Sequence, residues 1–303
     1  MPSNAPYIPE IIDHPGNELE SVRIGLVQLA PVLGSRDENL ERHAAIASEL
    51  AHRDVHLILF PELSLTGYFL KDLVPDVACT LEPQHWTSLQ EACGNSTVIA
   101  GGVYETAEHI FTNAAFAVNA HEVQIIHEKV FLPTYGLFDE LRYFGRGSRF
   151  HPHTFELGSV PHQQWKAGTV ICEDMWHLRS ISLLADQGVD CFLGLSSSPA
   201  RGIQAKKSLG SEQSYDAMTR TYAQLTTSYF AYCNRVGYED GVAFWGGSRL
   251  VLPDGSLAAE PAGRGEEIHV YAVSHRAVRR ARIATPLLRD ERISPLREEN
   301  VHV

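Results

Sequence analysis

Val22-Arg-Ile-Gly-Leu-Val-Gln-Leu29, a helical segment, and then Val55-His-Leu-Ile-Leu-Phe60 form the stretch that decides the fold. The first run is apolar with interspersed polar residues and reads as a strand ending at Ala30-Pro31. From Asp37 to His52 the residues Leu40, Ala44, Ala45, Ile46, Leu50 and Ala51 recur at mostly helical spacing, which predicts a long helix. Val55 to Phe60 is a nearly continuous apolar run, the pattern of a strand buried on both faces, and it stops at Pro61-Glu62. Strand, helix, strand is the unit from which α/β sheets are built.

Working outward, the same logic returns at Thr169-Val-Ile-Cys172, a helix over Leu178 to Gln187 and the strand Asp190-Cys-Phe-Leu-Gly-Leu195. Between the two units, Ser96 to Tyr104, Ala114 to Asn119 and Val123 to Lys129 read as strands joined by short polar turns, which predicts antiparallel hairpins and hence a mixed sheet. A helix over Ser211 to Thr226 precedes the strand Tyr229 to Asn234. A last hairpin is expected around Pro253-Asp254-Gly255, with strands Gly247 to Leu252 and Ile268 to Val273. No repeat, low-complexity tract or linker divides the chain, so the expectation is a polar leader over residues 1–20, one domain over 21–284 and a polar tail over 285–303.

The 303 residues, 44% hydrophobic and 20% charged, suffice for a large core. A net charge of -12 argues against a general nucleic-acid binder; the clearest basic cluster, Arg276 to Arg282, reads as a solvated or subunit-contacting face. Five cysteines without a CxxC pair indicate neither a disulfide framework nor a thiolate metal site and suit a reducing cytoplasm; Cys191 and Cys233, inside predicted strands, read as core thiols. The fifteen histidines form no HxxxH or HExxH pair, and His151-Pro-His153 lacks a partner at ligand spacing, so no metal and no cofactor is expected. The leader has four prolines and neither a basic start nor an apolar run, unlike a secretory signal, and no stretch reaches the roughly 20 apolar residues of a membrane span.

Three predicted strand ends each deliver one reactive side chain: Glu62, Lys129 and Cys172. The carboxyl ends of strands are where α/β sheets place ligands. Together the three make a chemically sensible set, in which Glu62 takes the thiol proton and later hands it to a leaving amine, and Lys129 stabilises an oxyanion with the backbone N–H after the nucleophile. Taken singly, each has a plainer reading: a cysteine at a strand end as a small buried hydrophobe, a glutamate after proline or a lysine after a strand as surface charge.

The wording around them weighs against the plainer readings. Phe60-Pro-Glu-Leu-Ser-Leu-Thr-Gly-Tyr68, Glu128-Lys-Val-Phe-Leu-Pro133 and Gly168-Thr-Val-Ile-Cys-Glu-Asp-Met-Trp176 resemble, in order and spacing, the three catalytic blocks of the nitrilase superfamily. The resemblance runs from about Val22 to Val273. It implies a four-layer α-β-β-α sandwich of the α/β class and a Glu-Lys-Cys triad of Glu62, Lys129 and Cys172. Within the superfamily the nearest resemblance is to the glutamine-hydrolysing domain of glutamine-dependent NAD synthetases, carried by Pro61 to Tyr68, Ile171 to Trp176 and Leu132-Pro-Thr-Tyr-Gly-Leu-Phe-Asp-Glu-Leu-Arg-Tyr-Phe144. It implies that Glu140 is a second carboxylate positioning Lys129 and substrate, and that Tyr135 and Glu173 meet the amide or amine end of the substrate. Spacing alone makes Glu140 a surface residue of a helical turn.

Ser196-Ser-Ser-Pro-Ala-Arg-Gly202 matches the glutaminase pattern only in its Ser198-Pro199 core. It is expected to overhang the pocket, with Ser198 against the substrate and Arg201 either a bidentate clamp for a substrate carboxylate or a solvated loop residue. The Phe244-Trp-Gly-Gly-Ser248 turn either borders the site or begins a strand. No glycine-rich phosphate loop or adenylating domain follows, so making NAD is expected to require a separate partner.

The expected reaction is amide hydrolysis in a small non-peptide substrate through a Cys172 thioester. A nitrilase or N-carbamoyl hydrolase is the alternative within this chemistry; a glutaminase-like subunit feeding a synthetase, or a non-catalytic scaffold, is the alternative outside it. The resemblance also implies a homo-oligomer, a dimer or multiples of one.

Overall fold

The computed structural model describes residues 6–16, 21–158, 164–202 and 209–291. Residues 1–5 and 17–20 of the leader and 292–303 of the tail lie outside the described residues. In chain order the first strands are β1 (Glu10–His14), β2 (Val22–Gln28), β3 (Leu57–Leu59), β4 (Thr97–Glu105), β5 (Phe111–Val118) and β6 (Val123–Glu128). Then come β7 (His153–Glu156), β8 (Gln164–Ile171), β9 (Cys191–Ser196), β10 (Tyr229–Asn234), β11 (Val236–Glu239), β12 (Val242–Trp245), β13 (Arg249–Val251) and β14 (Glu267–Val273). The helices are α1 (Arg36–His52), α2 (Val74–Val77), α3 (Thr87–Cys93), α4 (Leu178–Asp186), α5 (Gly210–Thr226), α6 (His275–Ala284) and α7 (Leu287–Asp290).

These strands form two sheets and a ribbon. The larger sheet runs β1-β14-β2-β3-β4-β5-β6, the smaller β13-β10-β9-β8-β7, and β11 pairs with β12. β2, β3 and β4 are mutually parallel and β4, β5 and β6 antiparallel, so the first sheet is mixed as the sequence pattern predicts. Period-2 alternation separates its two faces. Leu57 and Leu59 of β3, with Ile99 of β4 and Ala115 and Ala117 of β5, share one apolar cluster with β8, β9 and β10. Ile58, Val98, Ala100, Ala114, Phe116 and Val118 point the other way, onto Ile46, Leu50, Leu89 and Cys93 of α1 and α3. Helices α4 and α5 cover the far side of the small sheet with Ile181, Leu184, Tyr222 and Ala223. The result is the four-layer α-β-β-α sandwich.

The last hairpin is corrected. A turn does form at Pro253-Asp254-Gly255, where Leu252 N donates to Ser256 O (2.8 Å) and the Asp254 carboxylate accepts from Ser256 N (2.9 Å). Beyond it the chain doubles back for a single bridge, Val251 to Leu257, and β14 crosses to the other sheet. There β14 pairs along its full seven residues with β2 and on its other edge with β1. Pairing on both edges supplies more backbone partners than the three residues of β13 offer, which explains the outcome. Cys191 and Cys233 are core thiols of β9 and β10.

The basic stretch Arg276 to Arg282 lies within α6, capped by the Ser274 hydroxyl accepting from Ala277 N (3.2 Å). Val278 packs inward, and Arg282 bonds Val189 O at 2.7 Å and pairs with Asp190 at 3.3 Å, so part of this face is tied to the fold. No helix among the described residues is long and apolar enough to cross a membrane.

Candidate active site

Three residues past β3, Glu62 sits in a tight turn that the adjacent strand must accommodate. A Cβ on Gly101 of β4 would lie 2.4 Å from Pro61 O and 2.5 Å from Leu63 N, so only glycine lets the Glu62 turn lie this close. The Glu62 side chain is fully buried and accepts three hydrogen bonds: from Lys129 Nζ (2.6 Å) and Asn113 Nδ2 (2.9 Å) on Oε1, and from Ser197 N (2.7 Å) on Oε2. Lys129, the residue after β6, is equally buried and also donates to Glu140 Oε1 (2.8 Å). Glu140 opens a short helical turn, Glu140–Arg142, is only 4% exposed, and accepts from the Tyr68 hydroxyl at 2.5 Å. The surface position that spacing suggests for Glu140 is therefore not the one it occupies.

Burying three ionisable groups is tolerable because the Lys129 ammonium pairs with both carboxylates and the group is hydrogen-bonded, although two carboxylates to one ammonium leave a negative charge in excess. Burial alone would pull the Lys129 ammonium down, but Glu140 and Glu62 outweigh it and hold it well above its ordinary value, so it stays charged. Burial pushes the Glu140 carboxyl up to about 7; Lys129 opposes the rise and Glu62 adds to it.

Cys172 follows β8 directly and begins the helical turn Cys172–Trp176, with φ of 45°, a left-handed conformation that a non-glycine residue adopts at a cost. Asp174 holds this turn. Its buried carboxylate accepts from Ile171 N (3.1 Å), Val130 N (3.1 Å), Phe131 N (3.0 Å) and His127 Nε2 (2.7 Å), linking the Cys172 turn to the segment that carries Lys129. Burial pushes the Cys172 thiol up to about 12; Glu62 adds to the rise, Lys129 and a hydrogen bond with Tyr215 oppose it. The thiol therefore rests protonated, and it feels the charges of both Glu62 and Lys129.

Cys172 opens onto a cavity of about 340 Å³, which also touches Tyr135, Phe138, Glu173, Ser198 and Arg201. Tyr135 Oη donates to Glu173 Oε2 at 2.8 Å. The Arg201 guanidinium lies 4.6 Å from the centre of the Phe138 ring, and among the described residues no carboxylate pairs with it. Ser198 is buried, its hydroxyl accepting from Trp245 Nε1 (3.0 Å) and its N–H donating to Asn234 Oδ1 (2.9 Å). The Phe244 to Ser248 segment thus backs the site: Phe244 and Trp245 end β12, Phe244 bridges to Pro199, and Ser248 donates to Gln28 from both N and Oγ.

All eight residues singled out from sequence gather here, four in the buried group and four around the cavity. Asp174, Tyr215, Tyr68 and Asn113 escaped that reading. For Asp174 and Tyr68 the signal was present, since both lie inside the quoted blocks; Tyr215 sits in the helical pattern of α5 and Asn113 in β5, where each passes for a scaffold residue. Among the described residues no group of three or more His, Cys, Asp or Glu side chains is placed to hold a metal ion.

A carbon-nitrogen hydrolase family model matches residues 23–283. Among curated proteins, the glutamine-dependent NAD(+) synthetase of Acinetobacter baylyi is 31% identical over 254 residues, covering 83% of this chain and 44% of that protein. Among solved structures, the glutamine-dependent NAD+ synthetase of Acinetobacter baumannii in complex with ADP superimposes with a TM-score of 0.70 at 27% identity, covering 86% of this chain and 47% of that one. A carbon-nitrogen hydrolase from Helicobacter pylori G27 does so with a TM-score of 0.72 at 22% identity, covering 90% and 96%. The chain spans less than half the length of the two synthetases.

Proposed function

Because the chain belongs to the carbon-nitrogen hydrolase family, we propose that it hydrolyses the amide of a small non-peptide substrate through a thioester on Cys172. The observation that carries this reading is the buried Glu62–Lys129–Glu140 group beside a cysteine that opens onto a cavity. Glu62 removes the thiol proton as Sγ attacks the amide carbon. The charged Lys129 and the N–H of Glu173, one of the N–H groups a helical turn leaves unpaired at its start, stabilise the oxyanion. Ammonia or an amine departs with the proton from Glu62, and Glu62 then activates the water that cleaves the thioester. Glu140 keeps Lys129 charged and in place.

The test is a mass-spectrometric panel of glutamine, asparagine, simple amides, nitriles and N-carbamoyl amino acids. Amides are expected to release ammonia and leave an acyl adduct on Cys172 that is absent from Cys172→Ala. Turnover by Cys172→Ala at the original rate would sink the mechanism; cleavage of nitriles or carbamoyl compounds alone would reassign the substrate.

Two facts favour a second, narrower reading, a glutaminase-like subunit. Among the described residues no carboxylate pairs with Arg201 and Glu173 faces the same cavity, a pair suited to the carboxylate and ammonium of an amino acid, and the matched relatives are glutamine-dependent synthetases. On this reading glutamine turnover rises when an ammonia-consuming synthetase is added.

A further inference from the structure

Two hydroxyls touch the Cys172 sulfur and have no part in the scheme above: Tyr215 Oη at 3.2 Å and Ser196 Oγ at 3.6 Å. Either atom of the first bond could donate, and a third group favours the phenol as donor. Trp176 Nε1 lies 3.2 Å from the same phenol oxygen, and an indole N–H can only donate. That bond occupies a lone pair of the Tyr215 oxygen and leaves the phenol hydrogen for the sulfur. The Ser196 hydroxyl donates to the sulfur as well. A sulfur placed to accept from two hydroxyls is prepared to be a thiolate, because donors bond an ionised acceptor more strongly than a neutral one.

The phenol is held in this position. Tyr215 is buried, its ring stacks on Tyr232 with centroids 5.0 Å apart, and it meets Trp176 edge-on at 84°. We propose that Tyr215 is an additional catalytic residue of this site, donating a hydrogen bond from its phenol to the Cys172 sulfur and stabilising the thiolate as it forms. The proposal rests on Cys172 being the nucleophile. The proton of the S–H goes to Glu62; the phenol keeps its own throughout. Burial, reinforced by the neighbouring sulfur, holds the Tyr215 phenol well above its ordinary value, so it remains a donor across the working range.

The role of Tyr215 is tested without any substrate, by the rate of alkylation of the full chain with iodoacetamide at one fixed pH near neutrality, followed at Cys172 by peptide mass spectrometry. Tyr215→Phe keeps the ring and removes the donor; the rate of Cys172 alkylation at fixed pH is expected to fall roughly tenfold to a hundredfold, the loss of thiolate that about one to two pH units of rise would bring. On whichever substrate the panel identifies, kcat falls roughly tenfold to a hundredfold while KM stays within about threefold. Trp176→Phe removes the upstream donor without altering the phenol and is expected to slow alkylation of Cys172 in the same sense by less, which keeps the test open should Tyr215→Phe fold poorly. A wild-type alkylation rate in both variants would overturn the proposal. Failure of the wild-type chain to hydrolyse any amide would count against the amidase reading and leave the alkylation result to judge Tyr215.

Discussion

Lys129 donates to two carboxylates through two of its three N–H bonds, and the shared cation makes the pair sensitive to a single proton. Glu140 is the group poised to take that proton, since burial raises its carboxyl from an ordinary 4.5 to about 7. Catalysis and stability then respond to acid in opposite senses. When Glu140 is protonated, Lys129 loses one of its two counter-charges, so kcat/KM is expected to fall as pH drops through about 7. A carboxyl with a raised folded-state value binds its proton more tightly in the folded chain, so its stabilising contribution is present on the acid side and lost as pH rises through about 7. In Glu140→Gln the acid limb near pH 7 should vanish from the rate profile and kcat should drop by at least about tenfold; a limb that survives the substitution would assign it to another group. Asp174 gives a different outcome. It accepts four hydrogen bonds, so Asp174→Ala leaves a buried imidazole and three N–H groups short of a partner. The expected loss, read from urea unfolding, is about 3–5 kcal/mol.

At the scale of elements, the turn carrying Glu62 is shaped by the strand beside it. Gly101→Ala is expected to push the Pro61–Leu63 backbone away from β4 and to lower kcat by about tenfold or more through misplacement of Glu62, with little change in KM. Wild-type kcat in that variant would mean that the turn relaxes without cost. This scale also marks how far the sequence could be read. Glu62, Lys129 and Cys172 stand at strand ends that the hydrophobic pattern makes visible, but that pattern leaves a plainer reading for each, and only the wording of the blocks around them singles them out. Glu140 was legible only through family resemblance, since nothing in the spacing of a short helical turn says which face is buried. Tyr215 was hidden for a related reason: in a helix an aromatic that packs and an aromatic that bonds a nucleophile leave the same periodic mark. The error over β13 and β14 has a third origin. Alternation reports which face of a strand is apolar and is silent about which strand lies alongside, so a turn with an apolar run on either side resembled a hairpin when its arms belong to different sheets.

Across the whole molecule, the proposed catalytic group spans both sheets: Glu62 and Lys129 follow strands of the larger, Cys172 a strand of the smaller. The geometry of the site therefore depends on how the two sheets pack. All five cysteines are buried, and Cys172 is the one that lines the cavity. Under native conditions iodoacetamide is expected to add a single carbamidomethyl group per chain, at Cys172, with the other four labelled only after denaturation; rapid native labelling at Cys79, Cys93, Cys191 or Cys233 would show openings of the fold that this packing does not anticipate.

The position of β14 bears on how the chain is made. β14 lies between β1 and β2, strands that leave the ribosome roughly 240 residues ahead of it, and among the described residues β1 has no other neighbour in the sheet. During synthesis, at about 5–20 residues per second, the nascent chain spends tens of seconds with one edge of β2 bare and β1 unattached. An unpaired edge on an apolar sheet is a template for pairing with another chain. The last of these fourteen strands to emerge is thus the one that closes this edge, and crowded polysomes translating this message expose many such edges to one another before any of them can be sealed.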